Sequence, residues 1–250
     1  MGAHPDPFRF TTIGHVGHDL CSPLSEPRLE QLVEALELPS GGRMLDLAGG
    51  KGALARRVVA RWGGRALVVD RNPYFLAEGR AMASPGVGFL EGGVAELASY
   101  GELPEGVDLV ACIGARPWGT RAATLTELFT LAGPEGRVLV GEGYWRHAPD
   151  PAFAALLGEE DEADLAVRLD THPAMAAALG FELSFHLAAT EAEFCDYDGR
   201  YQTAIEAWVT NHPEDPEAPV YAERIAAWGA AMREFGATSL GFGWYLYRRA

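Results

Sequence analysis

The chain has 250 residues and a mass of 26.9 kDa, room for one large α/β domain or two small ones but not three. Hydrophobic residues make up 48% and charged residues 22%, enough for a sizeable core, and no apolar run approaches the ~20 residues of a membrane span. The net charge of −15 argues against a phosphate backbone as the main partner, and the three scattered cysteines, Cys21, Cys112 and Cys195, read as free thiols. The first ten residues lack the apolar stretch of a secretory signal, so the expectation is a cytoplasmic protein, monomer or homodimer, with neither nucleic acid nor membrane as partner.

Residues 1–24 are rich in His, Pro and Gly, show no period, and read as a tail or lid. Apolar residues at Leu29, Leu32, Val33 and Leu36 predict a helix over 27–38, which completes a first unit of residues 1–42. Next come a short apolar strand over 43–48 and a helix over 53–62. A β-branched strand follows over 65–70, then a helix over 73–83 that Asn72 caps with Pro73 at its first position. A weaker strand at 87–90, strands over 107–113 and 137–141, and a helix over 120–132 continue the alternation. Short continuous apolar strands alternating with helices predict a doubly wound parallel sheet covered on both faces. This α/β core is expected to run over 43–190. Its last part holds an acidic helix start at 158–164, a helix over 173–179 and a strand over 181–188. Two apolar stripes at helical spacing, Phe194 to Trp208 and Tyr221 to Phe235, flank a Pro-rich loop and predict a helical hairpin over 191–238. An aromatic strand within 239–250 returns to the core.

The stretch Leu45-Asp-Leu-Ala-Gly-Gly-Lys-Gly-Ala-Leu54 runs from a strand through a glycine turn into a helix whose first amides face a ligand at the carboxyl end of the sheet. Gly50, Gly52 and Ala55 also satisfy the loose dinucleotide pattern G-x-G-x-x-G/A, so the glycines alone decide little. Asp46 decides more. A carboxylate there would repel a pyrophosphate but suits an ammonium or sulfonium group. Asp70, twenty residues after Gly50 at the next strand end, can accept both hydroxyls of a ribose. A ligand with a ribose and an aminoacyl cation but no phosphate is S-adenosylmethionine (SAM).

These residues resemble the class I SAM-dependent methyltransferases. Leu45 to Gly52 is similar to that family's first motif, with Ala48 in place of its usual first glycine, and Val68-Val-Asp70 is similar to its ribose-binding strand end. Val107 to Gly114 and Gly136 to Val140 resemble its fourth and fifth strands. The resemblance implies a seven-stranded, mostly parallel Rossmann-like sheet with the hairpin inserted before the last strand. It also implies SAM as cofactor, S-adenosyl-L-homocysteine (SAH) as product, and methyl transfer to an O, N or C nucleophile. The cofactor contacts it implies are Asp46, Ala48, Gly49, Gly50, Gly52, Asp70 and Arg71, then Gly93, Val94, Ile113 and Gly114. Two departures stand out. Gly92-Gly93-Val94 replaces the acid that often holds the adenine amine, leaving Glu91, Glu96 or a backbone amide to substitute. Gly114-Ala-Arg-Pro-Trp118 replaces the Asn/Asp-Pro-Pro-Tyr tetrapeptide of many base and glutamine methylases, which points to a small-molecule acceptor. A nicotinamide oxidoreductase and a catalytically silent SAM-binding protein are the rival readings.

The remaining candidates carry open alternatives. Glu142, after the fifth strand, reads as a general base, an amine anchor or a second-layer acceptor. Lys51, the sole lysine beside 19 arginines, either neutralises Asp46 or the cofactor carboxylate or stands solvated in its loop. His15 and His18 read as proton acceptors on a lid or as part of a tail; no Cys/His cluster elsewhere completes a zinc site, so no metal is expected. Trp118, Tyr144 and Trp145 follow strands four and five, where an acceptor pocket would open, with Tyr197 and Tyr201 reaching it from the hairpin.

Overall fold

The computed structural model describes residues 6–82, 84–94, 97, 106–158 and 165–250. Glu96 and residues 159–164 of the expected acidic helix start lie outside them. The N-terminal part forms α1 (Arg9–Gly14) and α2 (Glu26–Ala35). The alternating core follows as β1 (Arg43–Leu47), α3 (Ala53–Trp62), β2 (Arg65–Asp70), α4 (Pro73–Ala81) and β3 (Val87–Glu91). It continues with β4 (Leu109–Ile113), α5 (Arg121–Ala132), β5 (Arg137–Trp145), α6 (Pro151–Leu156), α7 (Thr171–Ala178) and β6 (Phe181–Ala188). The chain ends with α8 (Glu191–Asn211), α9 (Ala218–Ala231), a π-turn over Met232–Gly236, a helical turn over Ala237–Ser239 and β7 (Leu240–Arg249).

The seven strands form one sheet in the order β3-β2-β1-β4-β5-β7-β6; β1 to β5 run parallel, and β7 lies antiparallel between β5 and β6. Strand alternation sends Met44 to one face, where it packs with Leu32 of α2, Leu36 just after it, and Leu54 and Val58 of α3. Leu45 and Leu47 go to the other, against Leu125, Leu128 and Phe129 of α5. Both faces are covered, as a parallel sheet requires. The strand order reverses between β1 and β4, which opens a crevice at their carboxyl ends.

Two sequence expectations are corrected. Residues 9–14 are not irregular: α1 forms because Phe10 and Ile13 bury themselves against Ile205, Tyr221 and Ile225 of the hairpin. The fifth strand does not end at Gly141. It runs on to Trp145, because β7 pairs with it from Val138↔Tyr247 to Trp145↔Leu240. Glu142, Tyr144 and Trp145 therefore belong to a strand and not to the loop after it.

Between β6 and β7, Thr190 and Glu193 form a capping box that starts α8, and α9 packs back along it. The hairpin covers the crevice from above, and α1 lies against it.

Candidate functional site

The turn after β1 is tight. Ala48 adopts a left-handed φ of +52°, and a Cβ on Gly49 would fall 2.6 Å from Asp46 Cγ, so only glycine fits there. The Gly50 amide donates to Asp70 Oδ2 at 2.8 Å and the Asn72 amide to Asp70 Oδ1 at 2.8 Å. Both oxygens accept backbone amides and keep lone-pair capacity for a ligand. Asn72 in turn caps α4, accepting from the amides of Tyr74 and Phe75.

Asp46 is 2% exposed and lacks a counter-ion among the described residues; burial and the neighbouring Asp70 push its carboxyl up to about 7. Burial outweighs three backbone amides at Asp70 and raises it as well. Two carboxylates held near one another in a half-dry crevice call for a cation and for hydroxyl donors. Both line a cavity of about 620 Å³, with Ala48, Gly49 and Gly50 beside them and Ile113 and Gly114 bordering it from β4.

The roof comes from α1 and the hairpin. His15, Tyr197 and Tyr201 line the cavity opposite the glycine turn. His15 Nδ1 lies 2.8 Å from the Thr11 carbonyl and therefore carries the hydrogen; Nε2 accepts from the Tyr197 hydroxyl at 2.8 Å. Burial draws His15 down to about 4, so the ring is neutral at pH 7. His18 Nε2 reaches the Tyr197 carbonyl at 3.2 Å and lies behind the lining. Lys51 takes neither of its expected roles. It is 2% exposed, donates to the His15 carbonyl at 2.9 Å and pairs with Glu78 at 2.6 Å, so the only lysine fastens the roof to the cofactor turn.

Other expected residues stand apart from the lining. Gly52 starts α3 at φ +70°. Val94 and Trp118 pack onto the α5 face of the core. Gly93 and Arg71 are likewise outside the lining. Glu142 is buried, ion-paired with Arg121 at 2.6 Å and in hydrogen-bond contact with His172 Nε2, which ties up the carboxylate expected as a base. It faces an adjoining hollow of about 400 Å³, as do Tyr144 and Trp145. Sequence reasoning missed Phe75 and Asp198. Phe75 lines the cavity beside His15. Asp198 was legible as a charge on an apolar stripe, four residues after Phe194 and three before Tyr201. No group of three or more metal-ligating side chains occurs among the described residues.

No family model matches the chain. The uncharacterized protein YjhP of Escherichia coli K12 is 25% identical over 217 residues, 83% of this chain and 84% of that protein. A SAM-dependent methyltransferase from Thiobacillus denitrificans, solved with SAH, superposes at a TM-score of 0.86 and 25% identity, over 97% of this chain and 98% of that one. The chain has the fold of the class I SAM-dependent methyltransferases. Another, from Geobacter sulfurreducens and also solved with SAH, superposes at 0.86 and 24% identity, over 97% of this chain and 98% of that one. In this methyltransferase the crevice between β1 and β4, with Asp46 and Asp70 at its rim, corresponds to the usual ligand position of open α/β sheets.

Proposed function

We propose that this methyltransferase transfers the sulfonium methyl of SAM to a nucleophilic O, N or C atom of a small-molecule acceptor. The observation that carries the reading is the buried Asp46, without a counter-ion among the described residues, in one cavity with Asp70. A sulfonium and an ammonium supply the missing cation, and a ribose supplies hydroxyl donors to Asp70. A dinucleotide would instead set its pyrophosphate against Asp46.

Bound SAM supplies a methyl group on an already activated leaving group. The protein's work is to hold the acceptor in line and to exclude water. Asp46, Ala48, Gly49, Gly50 and Asp70 are the cofactor residues in this reading, and Ile113 and Gly114 flank them. Tyr197 and Tyr201 seat the acceptor from above. His15 accepts the hydroxyl proton of Tyr197 in a hydrogen bond and so orients its oxygen; at about 4 it is too weak a base to take the acceptor's proton near neutral pH. Glu142, paired with Arg121 and His172, is not available for that task either.

Free cysteines at 21, 112 and 195 support a reducing, cytoplasmic setting, and no helix of the described residues is long and apolar enough to cross a membrane. The acidic charge supports a protein without a nucleic-acid partner.

The test is calorimetry with SAH and, separately, NAD. SAH should bind and NAD should not, and Asp70→Ala should weaken SAH by roughly 100-fold while the protein stays folded, because a buried acceptor of two hydroxyls is lost. NAD binding, or an unchanged SAH affinity in the variant, overturns the assignment.

A further inference from the structure

The cavity is lined by a third carboxylate, one outside the cofactor turn. Asp198 is 8% exposed and lies on α8, between the packing cluster of α1 with the hairpin and the cluster around Phe194 and Met232. Its Oδ1 accepts from Trp228 Nε1 at 2.7 Å and its Oδ2 from Gln202 Nε2 at 2.5 Å. Both oxygens thus accept from N–H donors, and no acceptor for a carboxyl proton is paired with either. That pattern fits the ionised form. The two donors are neutral. Among the described residues no lysine, arginine or histidine forms an ion pair with it. Arg224, the cation that borders the same cavity, stacks its guanidinium 3.9 Å above the Phe10 ring instead.

The walls around Asp198 are aromatic. Phe194, Tyr197, Tyr201 and Trp228 all line the cavity on its side, and no aliphatic carboxylate or phosphate ligand would gain from them. A buried anion without a counter-ion is costly, and ring faces attract a cation. We infer that Asp198 and these four rings form an ammonium-binding subsite, so that the acceptor is a small molecule carrying an organic ammonium group apart from the nucleophilic atom that takes the methyl. The inference rests on the methyltransferase reading for the word acceptor. The subsite itself does not depend on it.

The experiment is a calorimetric titration of the full-length protein saturated with SAH, which blocks the separate cation position at Asp46. The probes are choline, tetramethylammonium and 3,3-dimethylbutan-1-ol, the uncharged isostere of choline. Choline should bind at least tenfold more tightly than its isostere, and Asp198→Asn should remove that preference. Asparagine keeps the side-chain volume and, with the Gln202 amide turned, both hydrogen bonds. SAH titrated into the variant reports that its fold is intact. Should the variant not fold, the comparison of cation with isostere in the wild-type protein still decides. Equal affinity for choline and the isostere, or an undiminished preference in the variant, overturns the subsite. A wild-type protein that binds choline but not SAH keeps the subsite and overturns the methyltransferase reading.

Discussion

At the scale of single residues, the turn after β1 is held by conflicting demands. Ala48 occupies a left-handed conformation that costs a residue with a Cβ on the order of 1 kcal/mol. Ala48→Gly should therefore stabilise the protein by about 0.5–1 kcal/mol, read as a higher urea midpoint at unchanged slope; a lower midpoint would show that the methyl group packs usefully. Asp46 gives a pH prediction. Its carboxyl titrates at about 7 in the free protein, against 3.8 for an unperturbed group. Between these values the folded chain holds a proton that the unfolded chain has released, so the contribution of Asp46 to the stability of the free protein falls as pH rises from about 4 to about 7. A cation bound beside it favours the ionised form. Binding SAM at pH 6 should then release up to one proton, measured by calorimetry in buffers of different ionisation enthalpy, and Asp46→Asn should release none from this site. No proton release in the parent protein would separate Asp46 from the cofactor.

At the scale of elements, local signals located what local forces build. The helix over 53–62 and the strand over 65–70 stand where the apolar runs put them, because Gly52 and Gly63-Gly64 bound the helix and the Asn72-Pro73 helix start ends the strand. The six-residue α1 was illegible, since its two apolar residues find their partners about 190 positions later. The extension of β5 was illegible for a similar reason: an antiparallel partner near the end of the chain supplies its hydrogen bonds. The extension makes Tyr144 and Trp145 strand residues, with Trp145 packed against Phe194 and Met232. The docking of α1 is open to a direct test. A Cβ on Gly14 would fall 2.2 Å from the Tyr201 ring, so Gly14→Ala should lift α1 from the hairpin. Turnover should drop by roughly tenfold and proteolysis within residues 8–20 should accelerate, while SAH affinity changes by less than about threefold, because the cofactor turn is built from the sheet. An unaltered cleavage rate together with full turnover would reduce α1 to packing.

At the scale of the whole molecule, charge and cover decide the company the protein keeps. With a net charge of −15 it should not retain duplex DNA or RNA at physiological salt. A salt-sensitive mobility shift at submicromolar protein would contradict this. The order of motifs along the chain made the class of sheet legible, since strand, glycine turn, helix and acid-terminated strand follow one another within 30 residues. The hairpin above the sheet was legible from its two apolar stripes, and residues 1–24 as a tail or lid; the helix within that segment and its contacts were not. The roof is assembled from residues 9–24 and 191–231, which share no local pattern and meet only because each has an apolar face that the sheet leaves uncovered.

Lys51 has a practical consequence. Every other side-chain cation of the chain is an arginine or a histidine, so the surface carries no lysine amine, and the single ε-amine is sealed under α1. The ε-amine is out of reach of acylating reagents until the roof lifts. The rate at which Lys51 is acylated, read by mass on the peptide that contains it, is therefore a clock for roof opening that needs no engineered label, and its slowing by SAH or an acceptor gives the closure each ligand induces.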